Sequence, residues 1–162
     1  MKNLRLCLFS LLALACLCLY ACSLTEYAPR DFPNVKLSLD VDTEAKVIVN
    51  TNRELVIHDS EGAVIQITHL DRMQNDDKTI GKLVLTTAQE QGLSLTSLKV
   101  ARLDARGISG VYVEGTKDET LVLIGGFVGF LSVDGYLAVL QFPKGSSENA
   151  EHTMRSISYR RK

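Results

Sequence analysis

The sequence predicts an α+β fold: an antiparallel meander sheet with one mid-chain and one C-terminal helix, arranged as an α/β/α sandwich. Three observations carry this. Short β-rich runs are separated by turns too brief for parallel crossovers. The apolar spacing switches mid-chain from strand period to helix period, at Thr79. Two later runs, 119–124 (ETLVLI) and 136–142 (YLAVLQF), are apolar at nearly every position. A strand of that kind has both faces covered, so the two helices belong on opposite faces.

The elements follow in order. Residues 35–39 read as a short strand, with Val41-Asp42 as a turn. AKVIV (45–49) and ELVIH (54–58) flank the turn chemistry of Asn50-Thr51-Asn52. Asp59-Ser60-Glu61-Gly62 is a second turn, and 63–68 alternates Ala63, Ile65, Ile67 against Val64, Gln66, Thr68. Ile80, Leu83, Val84, Thr87 and Ala88 then mark one helix face. Asp77 or Thr79 is the expected cap, and Gly92 suits the left-handed residue past the C-terminus. Strands are expected at 98–103 and 109–114. Residues 119–124 and 127–133 form one bent strand or two, with bulges or corners at Gly125, Gly126 and Gly129. Asp134-Gly135 is a hairpin signal, with 136–142 as the return strand. Ser146 or Ser147 caps a final helix, whose buried stripe is Ala150, Met154 and Ile157.

The N-terminal segment has a different composition. Eighteen of the first 22 residues are apolar, and all four cysteines (Cys7, Cys16, Cys18, Cys22) lie within it. Residues 35–162 therefore hold no disulfide and no thiolate metal site, and no cofactor is implied. From Cys22 onward there are 16 Lys+Arg against 19 Asp+Glu, a net charge of −3. That balance argues against nucleic acid as a partner, because binding phosphate needs a basic face.

Lys2 and Arg5 precede a largely apolar run from Leu6 to Leu19, shorter than the ~20 residues of a membrane span. It ends in Leu19-Tyr20-Ala21-Cys22. This resembles the lipobox of bacterial lipoproteins, with an aliphatic residue at −3, a small one at −1 and then the cysteine. The resemblance implies a signal peptide over 1–21, diacylglycerol on the Cys22 sulfur and acylation of the new amine. Each buried methylene contributes about 0.8 kcal/mol, so several chains make a lasting anchor where one does not. Ser23 after the lipid cysteine implies the outer membrane, facing the periplasm. Residues 22–34 read as a tether interrupted by Pro29 and Pro33, and 35–162 as one globular domain.

Candidate chemistry is sparse. His69, Asp71, Asn75, Asp76 and Asp77 form the densest polar group. They lack the glycine and closing glutamate of a calcium loop and read as a solvated strand-to-helix loop whose acids favour the helix N-terminus. His58-Asp59 reads as a turn flank, and no serine lies in a nucleophile elbow. His152 falls on the exposed side of the last helix. The run 125–129 (GGFVG) lacks the lysine and hydroxyl of a phosphate loop. Arg160-Arg161-Lys162 reads as a solvated tail, with anionic lipid as the alternative contact.

The strand pair SGVYVEGTKDETLVLI, the hairpin FVGFLSVDGYLAVLQF and the closing helix ending in MRSIS resemble, in element order, the fold shared by PsbP-like photosystem subunits and Ran-binding nuclear import factors. The resemblance implies a non-enzymatic binding or assembly role with a protein partner, and the lipobox adds membrane contact through the lipid. The alternative is a small periplasmic hydrolase with a histidine and carboxylates assembled by folding. A pocket joining His58 or His69 to carboxylates would favour the hydrolase. An exposed apolar patch or open sheet edge would favour the binder.

Overall fold

A computed structural model describes residues 26–105, 107–129 and 133–160. The segment read as a signal peptide and the lipobox-like residues 19–22, Cys22 included, lie outside the described residues. The chain runs β1 (Tyr27–Phe32), β2 (Leu37–Asp42), β3 (Lys46–Asn50), β4 (Glu54–His58), β5 (Val64–Leu70), α1 (Asp77–Glu90), a 3-10 turn (Leu95–Ser97), β6 (Lys99–Ala105), β7 (Ile108–Lys117), β8 (Thr120–Gly129), β9 (Gly135–Pro143), α2 (Ser147–Ser156) and β10 (Ser158–Tyr159). The α+β class holds.

A seven-stranded sheet has the order β3-β4-β5-β9-β8-β7-β6, and every neighbouring pair is antiparallel. It consists of two meanders. The second runs back so that β9 seats against β5. That brings the ends of β5 and β9 together, and they build the candidate site described below.

The two helices cover opposite faces, as the all-apolar strands predict. Along β8, Leu121, Leu123 and Phe127 enter the main core with Ala150, Met154 and Ile157. The alternate residues Val122, Ile124 and Val128 pack under Val84, Ala88 and Ile80 of α1. The stripe of Ala150, Met154 and Ile157 is fully buried, although Ile157 is the C-cap residue and not part of the helix proper. Neither Asp77 nor Thr79 is the cap: Asp76 caps α1 by accepting from the Thr79 N–H at 2.8 Å. Gly92 takes the left-handed conformation past its end, with φ 78°.

Several expectations are corrected. Residues 27–32 are a strand and not a tether: β1 pairs with β2 along its whole length and buries Phe32. The domain thus begins near Tyr27, not at residue 35. Pro29 is tolerated because β1 is an edge strand. Val41-Asp42 ends β2 instead of turning. A third strand, β10, pairs with β2 and completes a small sheet, order β1-β2-β10, whose residues join the main core.

The β8 glycines do not form bulges, since pairing to both neighbours continues without a shift from Thr120 to Val128. Gly125 and Gly126 make room for helices. A Cβ on Gly126 would lie 2.9 Å from a Val84 methyl, and one on Gly125 would lie 2.9 Å from the Met154 sulfur. The register shift falls instead in β3, between Val47 and Val49. Asp134-Gly135 is not a two-residue turn either. Gly135 is already in β9, paired with Val128, and the loop closes where the Gly129 N–H donates to the Asp134 carbonyl at 3.1 Å. Glycine is required at 135 because a Cβ would meet the Met73 Cβ at 2.3 Å.

Candidate functional site

β5 carries Ile65 and Ile67 on its buried face, and His69 is next in that row. Cross-strand pairing sets His69 opposite Tyr136. The two rings tilt together with centroids 5.2 Å apart, and Tyr136 stacks on Phe127 at 5.3 Å. The imidazole therefore stands at the rim of the core. Its Nδ1 is 3.1 Å from the Asn52 carbonyl, and its Nε2 is 3.2 Å from Asp134 Oδ1.

Asp134 is the hub of this end of the molecule. Lys36 Nζ donates to its Oδ2 at 2.9 Å, and the Tyr159 hydroxyl donates to the same oxygen at 3.1 Å. Four segments distant in sequence meet there: the β1–β2 turn, the end of β5, the loop before β9, and β10. Donation to Asp134 holds the Lys36 ammonium above its usual range. Burial, then the Asp134 charge, pushes the Tyr136 phenol up as well. That phenol donates to the Val35 carbonyl at 2.9 Å, tying the turn to the sheet. Lys36 holds a left-handed backbone (φ 58°), as does Arg72 just past β5 (φ 58°). For residues other than glycine such conformations cost of order 1 kcal/mol and persist where surrounding contacts hold them.

The expected polar group around the β5–α1 loop is dispersed. His69 turns to Asp134, Asp71 lies 3.5 Å from Arg53, Asp76 caps α1 and Asp77 pairs with Arg102 at 2.9 Å. His58 is exposed at the end of β4. The neighbouring Asp59 accepts the backbone N–H groups of Glu61 and Ala63 through Oδ1, which is turn chemistry.

His152 is half-exposed, as expected, but it is not idle. Its Nε2 lies 2.9 Å from Asp40 Oδ2, and its ring meets Tyr27 edge-on at 6.1 Å. With Ala105, Arg155 and Ser156 the pair lines a cleft of about 250 Å³. Ser156 is no nucleophile here. Its hydroxyl donates to the Thr153 carbonyl at 2.8 Å and accepts the Asp40 N–H at 2.7 Å. Arg160 is likewise fixed, pairing with Asp31 at 2.6 Å while its N–H donates to the Lys36 carbonyl. Arg161 and Lys162 lie outside the described residues.

A proton-transfer site needs a ring nitrogen free to face the reacting group. Both nitrogens of His69 face acceptors within the fold. The sequence signal that would have found His69 is the continuation of the row Ile65, Ile67 by one more step of period 2. Asp134, Lys36 and Tyr159 carried no local signal, because only the sheet order brings them together.

No protein-family model and no curated protein matches the chain. Solved structures do. The Ran-binding protein Mog1p of Saccharomyces cerevisiae is similar over 83% of this chain and 95% of its own, with TM-score 0.51 and 10% identity. A mutant of Mog1 is similar over 81% and 87%, again with TM-score 0.51 and 10% identity. At that identity the likeness shows the fold alone: the sheet-and-helix sandwich of this chain is the one those proteins use.

Proposed function

We propose that this chain is a periplasmic lipoprotein, anchored to the outer membrane through acylated Cys22, whose domain is a non-enzymatic binding or assembly module for a protein partner. One observation carries the non-enzymatic part. At the His69–Asp134 pair both ring nitrogens already face acceptors of the fold, the Asn52 carbonyl and Asp134, and beside the His152–Asp40 pair the Ser156 hydroxyl gives its proton to the Thr153 carbonyl. The Ran-binding name of the structural neighbour supports a protein partner.

The sheet edges are poor docking strands. β6 carries Lys99, Arg102 and Asp104, and β3 is interrupted by its register shift. Charges and irregular pairing blunt an edge against strand addition. The end cross-linked through Asp134, with exposed Asn52, Arg53, Arg72 and Val133 at its rim, is the better recognition surface.

Cys22→Ser tests the anchor. The variant should lose acyl label and leave the membrane fraction, accumulating as precursor or soluble protein. Normal processing and membrane retention would overturn the lipoprotein reading. Hydrolysis assays of the purified protein on ester, amide and phosphate substrates test the non-enzymatic reading: no turnover above background is expected, and turnover that is lost in His69→Gln or His152→Gln would overturn it.

A further inference from the structure

Under the lipoprotein reading, the start of β1 shortens the tether. Only residues 23–26 separate Cys22 from Tyr27. Five peptide links reach at most about 18 Å, less than half of what a tether running to Asn34 would allow. The domain is therefore confined near the headgroups.

The end that lies closest to the anchor is well defined. The Thr43 N–H donates to the Glu26 carbonyl at 2.9 Å, fastening the β2–β3 turn beside the first described residue. Buried Asp42 accepts the Glu44 N–H at 2.9 Å and the Ser60 N–H at 2.8 Å, and also the Ser60 hydroxyl, which draws in the β4–β5 turn. Glu26, Thr43, Glu44, Ser60 and Glu61 are all exposed on this end. β1 runs from here to Phe32, and β5 from here to His69 and Leu70. At about 3.3 Å per strand residue, the Asp134 hub sits roughly 20 Å away, at the opposite end.

We propose that the end formed by the 43–44 and 59–62 turns faces the bilayer headgroups, and that the His69–Asp134 end is held outward, away from the membrane. The proposal rests on lipidation at Cys22 and goes beyond it by fixing orientation. The inner rim bears the carboxylates of Glu26, Glu44 and Glu61. Anionic headgroups repel it over a Debye length of about 8 Å, so this end stays at the headgroup surface, within the reach of the tether, and does not insert. The outward end then meets a partner at a set height.

The test uses the full chain, expressed with its signal, extracted as the acylated protein and reconstituted into phosphatidylethanolamine–phosphatidylglycerol vesicles that carry a headgroup quencher. Once Cys22 is acylated and the signal removed, an introduced cysteine is the sole free thiol. A fluorophore on Thr43→Cys should be quenched several-fold more than one on Asn52→Cys. A flexible twelve-residue insertion after residue 25 should erase most of that difference. Equal quenching at the two sites, or stronger quenching at residue 52, overturns the orientation. Protein that fails to float with the vesicles overturns the lipid anchor itself, a separate outcome read before any quenching is measured.

Discussion

The carboxylate of Asp134 faces the imidazole of His69 across 3.2 Å, although 65 positions separate the two in the chain. The loop leading into β9 delivers the acid and β5 the histidine, and they meet because those two strands pair. The same carboxylate holds Lys36 and Tyr159, so one side chain joins the large sheet to the small one.

Asp134→Ala should therefore cost more than a surface substitution, about 1–3 kcal/mol, because it leaves several donors without their acceptor. His69→Ala alone should cost less. The double variant should fall short of the sum of the singles by about 0.5 kcal/mol or more, since contacting residues couple. Urea denaturation of the four proteins measures this, and strict additivity would mean that the contact contributes nothing.

Ile157→Asp places a charge where a fully buried side chain closes α2 onto the sheet. The expected loss exceeds about 3 kcal/mol. His152→Ala is a milder change, because the half-exposed ring gives up one polar contact with Asp40 and an edge contact with Tyr27. Its expected cost stays at or below about 1 kcal/mol. Similar losses in the two variants would mean that Ile157 does not seal the core.

Glycine substitutions separate conformational entropy from space. Gly81 lies inside α1 with nothing within 4 Å of an added Cβ, so Gly81→Ala should stabilise by about 0.5–1 kcal/mol. A Cβ on Gly110 would lie 2.1 Å from the Gly126 carbonyl oxygen and 2.7 Å from the Phe127 Cα. Backbone cannot yield as a side-chain tip can, so Gly110→Ala should destabilise by about 3 kcal/mol or more. Melting temperatures should move in opposite directions.

Asp42 gives the fold a pH signature. Burial alone would raise its pKa, but hydrogen bonds from the Ser60 hydroxyl and from the backbone of Glu44 and Ser60 outweigh burial and hold it below the usual carboxylate range. A carboxyl depressed in the folded state contributes stability above its unfolded pKa of about 3.9. That contribution is lost as pH falls through the lower folded value. Asp42→Asn should thus be less stable than the parent at pH 7, by about 1–3 kcal/mol, and the gap should narrow below about pH 4. A gap that stays constant from pH 7 to pH 3 would remove Asp42 from the acid response.

Much of the architecture is written locally. The spacing of Ile80, Val84, Thr87 and Ala88 can bury one face only as a helix, and β4 falls where ELVIH places it. The unbroken apolar run of β8 already required cover on both sides, and α1 and α2 supply it. Glycine is ambiguous by nature. Gly125, Gly126 and Gly135 look alike in sequence whether they bend a strand, turn a hairpin or admit a neighbour, and only the approaching Met154, Val84 and Met73 decide among these. Pro29 reads as a break until the fold makes β1 an edge strand that has no need of its missing N–H. Ser158 and Tyr159 are too few to show a period, and β2 alone makes them a strand. Hydrophobic period and turn chemistry act over a few residues, so the sequence by itself determined both helices, most of the large sheet's strands and the faces they bury, but neither β1 nor β10. Which strands pair depends on packing the whole chain at once. Only that packing put β9 beside β5, and with it Asp134 beside His69, Lys36 and Tyr159.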